Sequence, residues 1–176
     1  EVAVDETREF ANQLVPYGDQ IADDPKVKAM TSEYNEKLAD LYAGPAETAQ
    51  TSANVALRVT VCEPCHSSQV KAWRASDHAN AYNTLVQKSK QYDPKCLACH
   101  TTRFGQPEGF SMKAQERELR NVQCESCHGY AKDHLSGGKP IPNIKPGKDL
   151  CLKCHTSDRC PDFEADLAKY MEKIKH

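Results

Sequence analysis

Cys62-Glu63-Pro64-Cys65-His66 is the first of four C-x-x-C-H motifs in this chain. The others are CLACH at 96–100, CESCH at 124–128 and CLKCH at 151–155. On a helical turn the two thiols face one side and can add to the two vinyl groups of one haem. The histidine that follows can then bind the haem iron. The repeated motif therefore predicts four covalently attached haem c groups. The predicted attachment residues are Cys62, Cys65, Cys96, Cys99, Cys124, Cys127, Cys151 and Cys154, and the predicted proximal iron ligands are His66, His100, His128 and His155.

Zinc binding or disulfide bonding is the alternative use for such cysteines. A structural zinc site takes its ligands from two C-x-x-C pairs and gives no reason for a histidine directly after every pair. Here eight of the nine cysteines fall in motifs and each motif carries its histidine. The spacing therefore favours haem.

The composition indicates a small protein core. The 176 residues include one Trp, 39% are hydrophobic and the mean hydropathy is −0.73. Four porphyrins would supply the missing apolar bulk, and by analogy with metal-dependent domains the chain without haem is not expected to fold. We predict a mainly α fold, a small multihaem cytochrome c. Its helices and long loops would wrap round a compact four-haem cluster with little or no sheet.

Two regions differ in their ligand content. Residues 1–56 contain no Cys and no His, whereas residues 57–176 contain all of them. In the first region Asp24-Pro25 is a good helix start, and apolar residues then recur at helical spacing until Gly44-Pro45. We expect residues 1–56 to form a haem-free helical arm and residues 57–176 to form the tetrahaem domain. The alternative for the arm is a connector to a partner or another domain.

Further helices are predicted from Ser67 to Ala75, from Asp77 to Lys90 and from Asp162 to His176. A charged helix is predicted from Lys113 to Arg120. Residues 101–111 and 137–147 should be loops because they are rich in Gly and Pro. No stretch alternates like a strand.

Four haem irons have eight axial positions, but the chain has only seven histidines. Beyond the four motif histidines only His78, His134 and His176 remain, so at least one iron cannot have two histidines. That iron could be bound by a methionine or another group, or be five-coordinate and open to a small ligand such as nitric oxide. The candidate methionines are Met30, Met112 and Met171.

The three remaining histidines differ in how they could reach an iron. A largely helical segment would carry His78 about 15 Å from His66, which favours ligation of another haem. His134 follows His128 too closely for the chain to pass round a porphyrin edge. His176 falls opposite the apolar face of the last predicted helix, so only fraying of the last turn would turn it round.

Three stretches of residues 60–176 resemble the cytochrome c-554 family of tetrahaem electron carriers. They are the first motif with Trp73, Ser76 and His78-Ala79, then Asp93-Pro94 before the second motif, and Asn121-Val122-Gln123 before the third, with His134 after it. The resemblance implies three haems with two histidines each and one five-coordinate haem. It also implies that His78 serves the haem of His155, His134 that of His66 and His176 that of His128. The haem of His100 would keep the open position.

These features predict a carrier of single electrons between redox partner proteins. One alternative is a redox enzyme acting on a small molecule such as nitric oxide at the open haem, and another is a haem module of a larger extracellular assembly. Haem c is attached outside the cytoplasm, and the chain begins like a processed N-terminus, so a periplasmic or extracellular location is expected. No apolar run approaches a membrane span, and the formal net charge of −2 gives no sign of nucleic-acid binding. Cys160, outside the motifs, is expected to be a free thiol, an intermolecular bridge or a buried small residue.

Overall fold

The computed structural model describes residues 21–42, 56–106, 108–112 and 117–176. This part of the chain is mainly α, as predicted, and its only β pairing is an isolated antiparallel bridge between Thr101 and Arg120. None of its helices is both long enough and apolar enough to cross a membrane.

Helix α1 spans Pro25–Tyr42 and begins as its sequence predicts. The Asp24 carboxylate accepts hydrogen bonds from the backbone N–H groups of Lys26 and Val27, at 2.9 and 3.0 Å, which is the expected N-cap geometry. The helix has no buried residue. Gly44-Pro45 lies outside the described residues.

The remaining helices are short and most of them adjoin a motif. They are α2 Val59–Cys62, α3 Ser67–Arg74, α4 Ala81–Gln87, α5 Pro94–His100, α6 Cys124–His128, α7 Lys132–Gly137, α8 Lys148–Cys151 and α9 Leu167–Lys173, with 3-10 turns at Asp77–Asn80 and Arg117–Leu119.

Some predicted boundaries are wrong. The helix expected from Asp77 to Lys90 is a 3-10 turn followed by α4, and the helix expected from Asp162 begins only at Leu167. The charged helix expected from Lys113 lies partly outside the described residues. The part described there is the short 3-10 turn Arg117–Leu119.

The apolar core lies beside the second motif. It is formed by Ala56, Tyr82, Leu85, Leu97, Phe110 and Leu119, with Cys96, Phe104 and Met112 packed against it. It joins α4 and α5 to the loop after the second motif. By contrast, α2, α7, α8 and α9 have no buried residue.

Residues 121–123 link the first two motif regions to the third. The Gln123 side chain accepts a hydrogen bond from Val59 N–H at 2.7 Å, and Asn121 Oδ1 accepts one from Tyr82 N–H at 2.9 Å. The Trp73 indole donates to the carbonyl of Val122 at 2.7 Å. This segment therefore holds residues that are far apart in sequence at fixed positions.

Candidate haem-binding sites

All four motifs form a helical turn. In α5 and α6 the whole motif is helical, while the first and fourth motifs begin on the last residue of α2 and α8. The backbone N–H of His66 bonds to Cys62 O at 3.0 Å, and that of His155 bonds to Cys151 O at 2.9 Å. This turn brings positions i and i+3 to one side, as attachment of both thiols to one porphyrin requires. None of the nine cysteines forms a disulfide.

Three motif histidines each face a histidine from outside the motifs. The ring centroids are 6.1 Å apart for His66 and His134, and 6.1 Å apart for His78 and His155. They are 5.8 Å apart for His128 and His176. The structure thus brings together the same pairs that the resemblance implies, while their role as ligands remains a prediction.

The spacing of these pairs fits a shared metal. Two imidazoles that bind one metal through bonds of about 2 Å have ring centroids about 6 Å apart. No group of three or more His, Cys, Asp or Glu side chains in the described residues could hold a separate metal ion. The donor set of two thiols and two opposed imidazoles therefore fits haem at three motifs.

His100 is absent from these three pairs. Its Nδ1 lies 2.7 Å from the carbonyl of Ala81 and 3.2 Å from the hydroxyl of Thr84. No ring contact in the described part of the chain joins it to another histidine.

Several paired histidines have Nδ1 beside a hydrogen-bond acceptor. His128 contacts Asn143 O at 2.8 Å, and His134 contacts Lys139 O at 2.8 Å. When Nδ1–H donates to such an oxygen, Nε2 is left free to bind a metal, and the acceptor fixes the ring orientation. His176 has the same contact, at 2.7 Å, with the carbonyl of Ile174.

The His78 and His155 imidazoles lie in a largely desolvated environment. Burial lowers the pKa of both, and the proximity of His155 lowers the pKa of His78 further. Burial thus favours the neutral ring, which is the form that binds metal.

Cysteines of different motifs lie close to one another. Cys62 of the first motif hydrogen-bonds to Cys124 of the third, which raises the pKa of Cys62 and lowers that of Cys124 to about 7. Burial and a hydrogen bond with Cys99 of the second motif together raise the pKa of Cys154 in the fourth motif to about 12.

The third and fourth motifs are also neighbours. Burial raises the pKa of Cys127 to about 11, with a further contribution from the charge of Cys151. Neighbouring cysteines therefore connect the first motif to the third, the third to the fourth and the fourth to the second. Their order along the chain does not reveal this arrangement.

A buried ion pair joins the second and third motif regions. Arg103 Nη1 lies 3.4 Å from Glu125 Oε2, and the side chains are only 5% and 2% exposed. Glu125 also accepts a hydrogen bond from Ala131 N–H at 2.9 Å, while Arg103 bonds to Gln106 and packs on the Tyr130 ring. The sequence gives no signal for this pair, because a buried glutamate and an exposed glutamate can occupy the same position of a motif.

Comparison with known proteins shows that part of the chain is similar to c-type cytochromes. Residues 61–129 match the model of the family described as cytochrome c554 and c-prime. The chain is 31% identical to cytochrome c-554 of Nitrosomonas europaea over 124 aligned residues, which cover 56% of this chain and 53% of that protein.

Two longer proteins of Geobacter sulfurreducens are also similar. The c-type protein ImcH is 31% identical over 56% of this chain and 15% of its own length. The polyhaem cytochrome OmcB is 31% identical over 43% of this chain and 11% of its own length. The matches thus span about half of the first relative and a small part of the other two. No solved structure matches the chain.

Proposed function

We propose that this chain, whose residues 61–129 match the cytochrome c-554 family model, is an exported tetrahaem c-type cytochrome that passes single electrons between redox partner proteins. The observation that carries the proposal is the set of three histidine pairs 5.8–6.1 Å apart, each with one motif histidine. When bound, each haem supplies an iron that alternates between the ferric and ferrous states.

The residues of the chain have two roles in this proposal. The eight motif cysteines hold the haems by thioether bonds, and the four motif histidines are the proximal ligands. His134, His78 and His176 are the distal ligands opposite His66, His155 and His128, respectively. Two neutral imidazoles on one iron favour the low-spin state and small rearrangement during electron transfer.

We infer that residues 57–176 form the haem-binding domain and residues 1–56 form an arm. Helix α1 of the arm supports this because none of its residues is buried. Ala56, the last residue of the arm, packs in the core of the domain. Haem c attachment outside the cytoplasm supports a periplasmic or extracellular location for the domain.

The second candidate function is small-molecule redox chemistry at the His100 haem. His100 has no histidine opposite it in the described structure, so a ligand such as nitric oxide could bind there. The carrier is preferred because the loop after the second motif, residues 101–111, contains only one carboxylate, Glu108, that could deliver protons.

A third candidate is a module of a larger extracellular electron-transfer assembly. The small fraction of ImcH and OmcB that the matches span favours it. Sedimentation of the holoprotein with candidate redox partners would separate a free carrier from such a module.

Production in cells that attach haem c, followed by mass spectrometry and electron paramagnetic resonance, tests the carrier proposal. We expect four haems per chain, three low-spin ferric signals and one high-spin signal. His78→Ala should convert one low-spin signal to high-spin, and added imidazole should restore it. Met112→Leu is the control and should change nothing.

Fewer than four haems would contradict the tetrahaem proposal, and four low-spin signals would contradict an open position at His100. Steady turnover of nitric oxide with a reductant, lost when the open position is blocked by cyanide, would favour the enzyme over the carrier.

A further inference from the structure

The imidazole of His155 is held on two sides by residues outside its motif. The Phe163 ring stacks on it, with centroids 4.3 Å apart and planes inclined by 8°. Cys160 Sγ lies 3.4 Å from His155 Nδ1. Phe163 is only 3% exposed, so this face of the His155 ring is shielded from solvent.

Consecutive turns after the fourth motif produce this arrangement. The N–H groups of Arg159 and Cys160 both bond to the carbonyl of Thr156, at 3.0 and 2.8 Å, and Phe163 N–H bonds to Cys160 O at 3.0 Å. These turns fold the chain back over the histidine. Tyr170 of α9 packs behind Phe163, with ring centroids 5.0 Å apart.

The Nδ1 contact of His155 differs in kind from those of the other motif histidines that have one. His128 contacts a carbonyl oxygen at 2.8 Å, and His100 contacts one at 2.7 Å. A cysteine sulfur is a weak acceptor, whereas a carbonyl oxygen is a strong one. The Nδ1–H of His155 is therefore polarised less than the others.

The strength of the acceptor at Nδ1–H affects how strongly Nε2 donates electron density to a bound metal. A strong acceptor on Nδ1–H draws the proton away from the ring and makes Nε2 more basic. A more basic ligand stabilises ferric over ferrous iron and so lowers the reduction potential. A sulfur acceptor therefore leaves the potential higher than a carbonyl at the same place would.

We propose that Cys160 and Phe163 are positioning residues for His155. The sulfur keeps Nε2 of the imidazole a weak electron-pair donor to iron, and the stacked Phe163 ring fixes the plane of the imidazole. The inference rests on the proposed function, since it requires haem at the fourth motif. It assigns Cys160 a role as a hydrogen-bond acceptor in the reduced thiol form. Both residues act through His155 and do not touch the iron.

Opposite substitutions at Cys160 test the sulfur contact. Cys160→Asp places a strong acceptor beside Nδ1 and should lower one of the four haem potentials, whereas Cys160→Ala removes the acceptor and should raise the same potential. A redox titration followed by electron paramagnetic resonance assigns each change to one haem. If the Asp variant does not assemble, the sign of the shift in the Ala variant decides.

Phe163→Leu tests the stacked ring. It keeps apolar volume but removes the parallel contact, and should change the principal g values of one low-spin haem. Tyr170→Leu is the matched control. It also removes an aromatic ring, but that ring packs against Phe163 and does not contact His155. It should leave the g values of all haems unchanged.

Four attached haems with unchanged potentials in both Cys160 variants would overturn the role of the sulfur. Equal changes in the principal g values of Phe163→Leu and Tyr170→Leu would overturn the role of the stacked ring. Loss of haem from the unsubstituted chain would contradict the proposed function instead, and mass spectrometry separates this outcome from the other two.

Discussion

Two glutamates at the same position of their motifs have different surroundings. Glu63 and Glu125 each follow the first cysteine of a C-x-x-C-H motif. The Glu63 side chain pairs with Arg74 at the surface, where the partners are 37% and 52% exposed. Glu125 pairs with Arg103 in the interior. Surface pairs contribute little, whereas breaking a buried pair leaves an uncompensated charge.

Glu125→Gln is therefore expected to lower the free energy of unfolding of the holoprotein by about 3–5 kcal/mol, because Arg103 stays charged and buried without a counter-charge. Guanidinium denaturation followed by circular dichroism measures it. Glu63→Gln is the matched control and should have a much smaller effect. Equal effects of the two substitutions would show that burial does not distinguish the pairs.

At the scale of single residues, spacing alone predicts the attachment and proximal residues, because C-x-x-C-H is a local pattern. The count of seven histidines also predicts that one iron differs from the others. The contact of Cys160 with His155 could not be predicted from the sequence. It depends on the turns after the fourth motif, which fold the chain back over His155 and have no local sequence pattern. The Arg103–Glu125 pair was missed for the same reason.

The loop after the second motif is held by backbone contacts at close range. Phe110 N–H bonds to Thr102 O, and Thr102 N–H bonds to Leu119 O, both at 2.9 Å. Gly109 lies between these contacts. A Cβ at this position would overlap the carbonyl of Arg103. The loop can therefore approach itself this closely only with glycine.

Gly109→Ala is expected to destabilise the holoprotein by about 1–3 kcal/mol, because backbone must move to relieve the overlap. Thermal unfolding measures the loss. Gly137→Ala, where a Cβ meets nothing within 4 Å, is the control and should not destabilise the protein. A stable Gly109→Ala variant with unchanged spectra would show that the loop has more room than the structure indicates.

Helix ends show where sequence patterns succeed and fail. The start of α1 was predicted because Asp24 and Pro25 act locally. The predicted start of α9 at Asp162 is wrong because Phe163 stacks on His155 and lies in turns before the helix. The same helix ends at Lys173, so His176 lies beyond it and is not bound to the helical face on which periodicity places it.

At the scale of the molecule, the core formed by the described side chains is local. That core lies beside the second motif, and the two motif helices α2 and α8 contain no buried residue. A chain without haem has too little buried apolar surface elsewhere to offset the entropy of folding.

A variant with all eight motif cysteines changed to alanine is thus expected to lack cooperative unfolding and to have a flat near-ultraviolet circular dichroism spectrum. The holoprotein is the control and should unfold cooperatively. A sharp unfolding transition in the alanine variant would contradict a haem-dependent fold.

The net charge predicts the salt dependence of electron exchange. The polypeptide has a formal charge of −2, and the propionates of the proposed haems would make the holoprotein more acidic. Opposite charges speed encounter, and salt screens them. Reduction by a cationic small-molecule complex should slow as ionic strength rises, whereas reduction by an anionic one should accelerate. Stopped-flow absorbance measures both rates, and equal salt dependence would contradict the prediction.

If each motif holds a haem, neighbouring cysteines would connect the haems in a series that runs from the first motif through the third and the fourth to the second. This series differs from the order of the motifs along the chain. Loss of the haem at the fourth motif would break the series, and the second motif would then be connected to the third through protein contacts such as the Arg103–Glu125 ion pair.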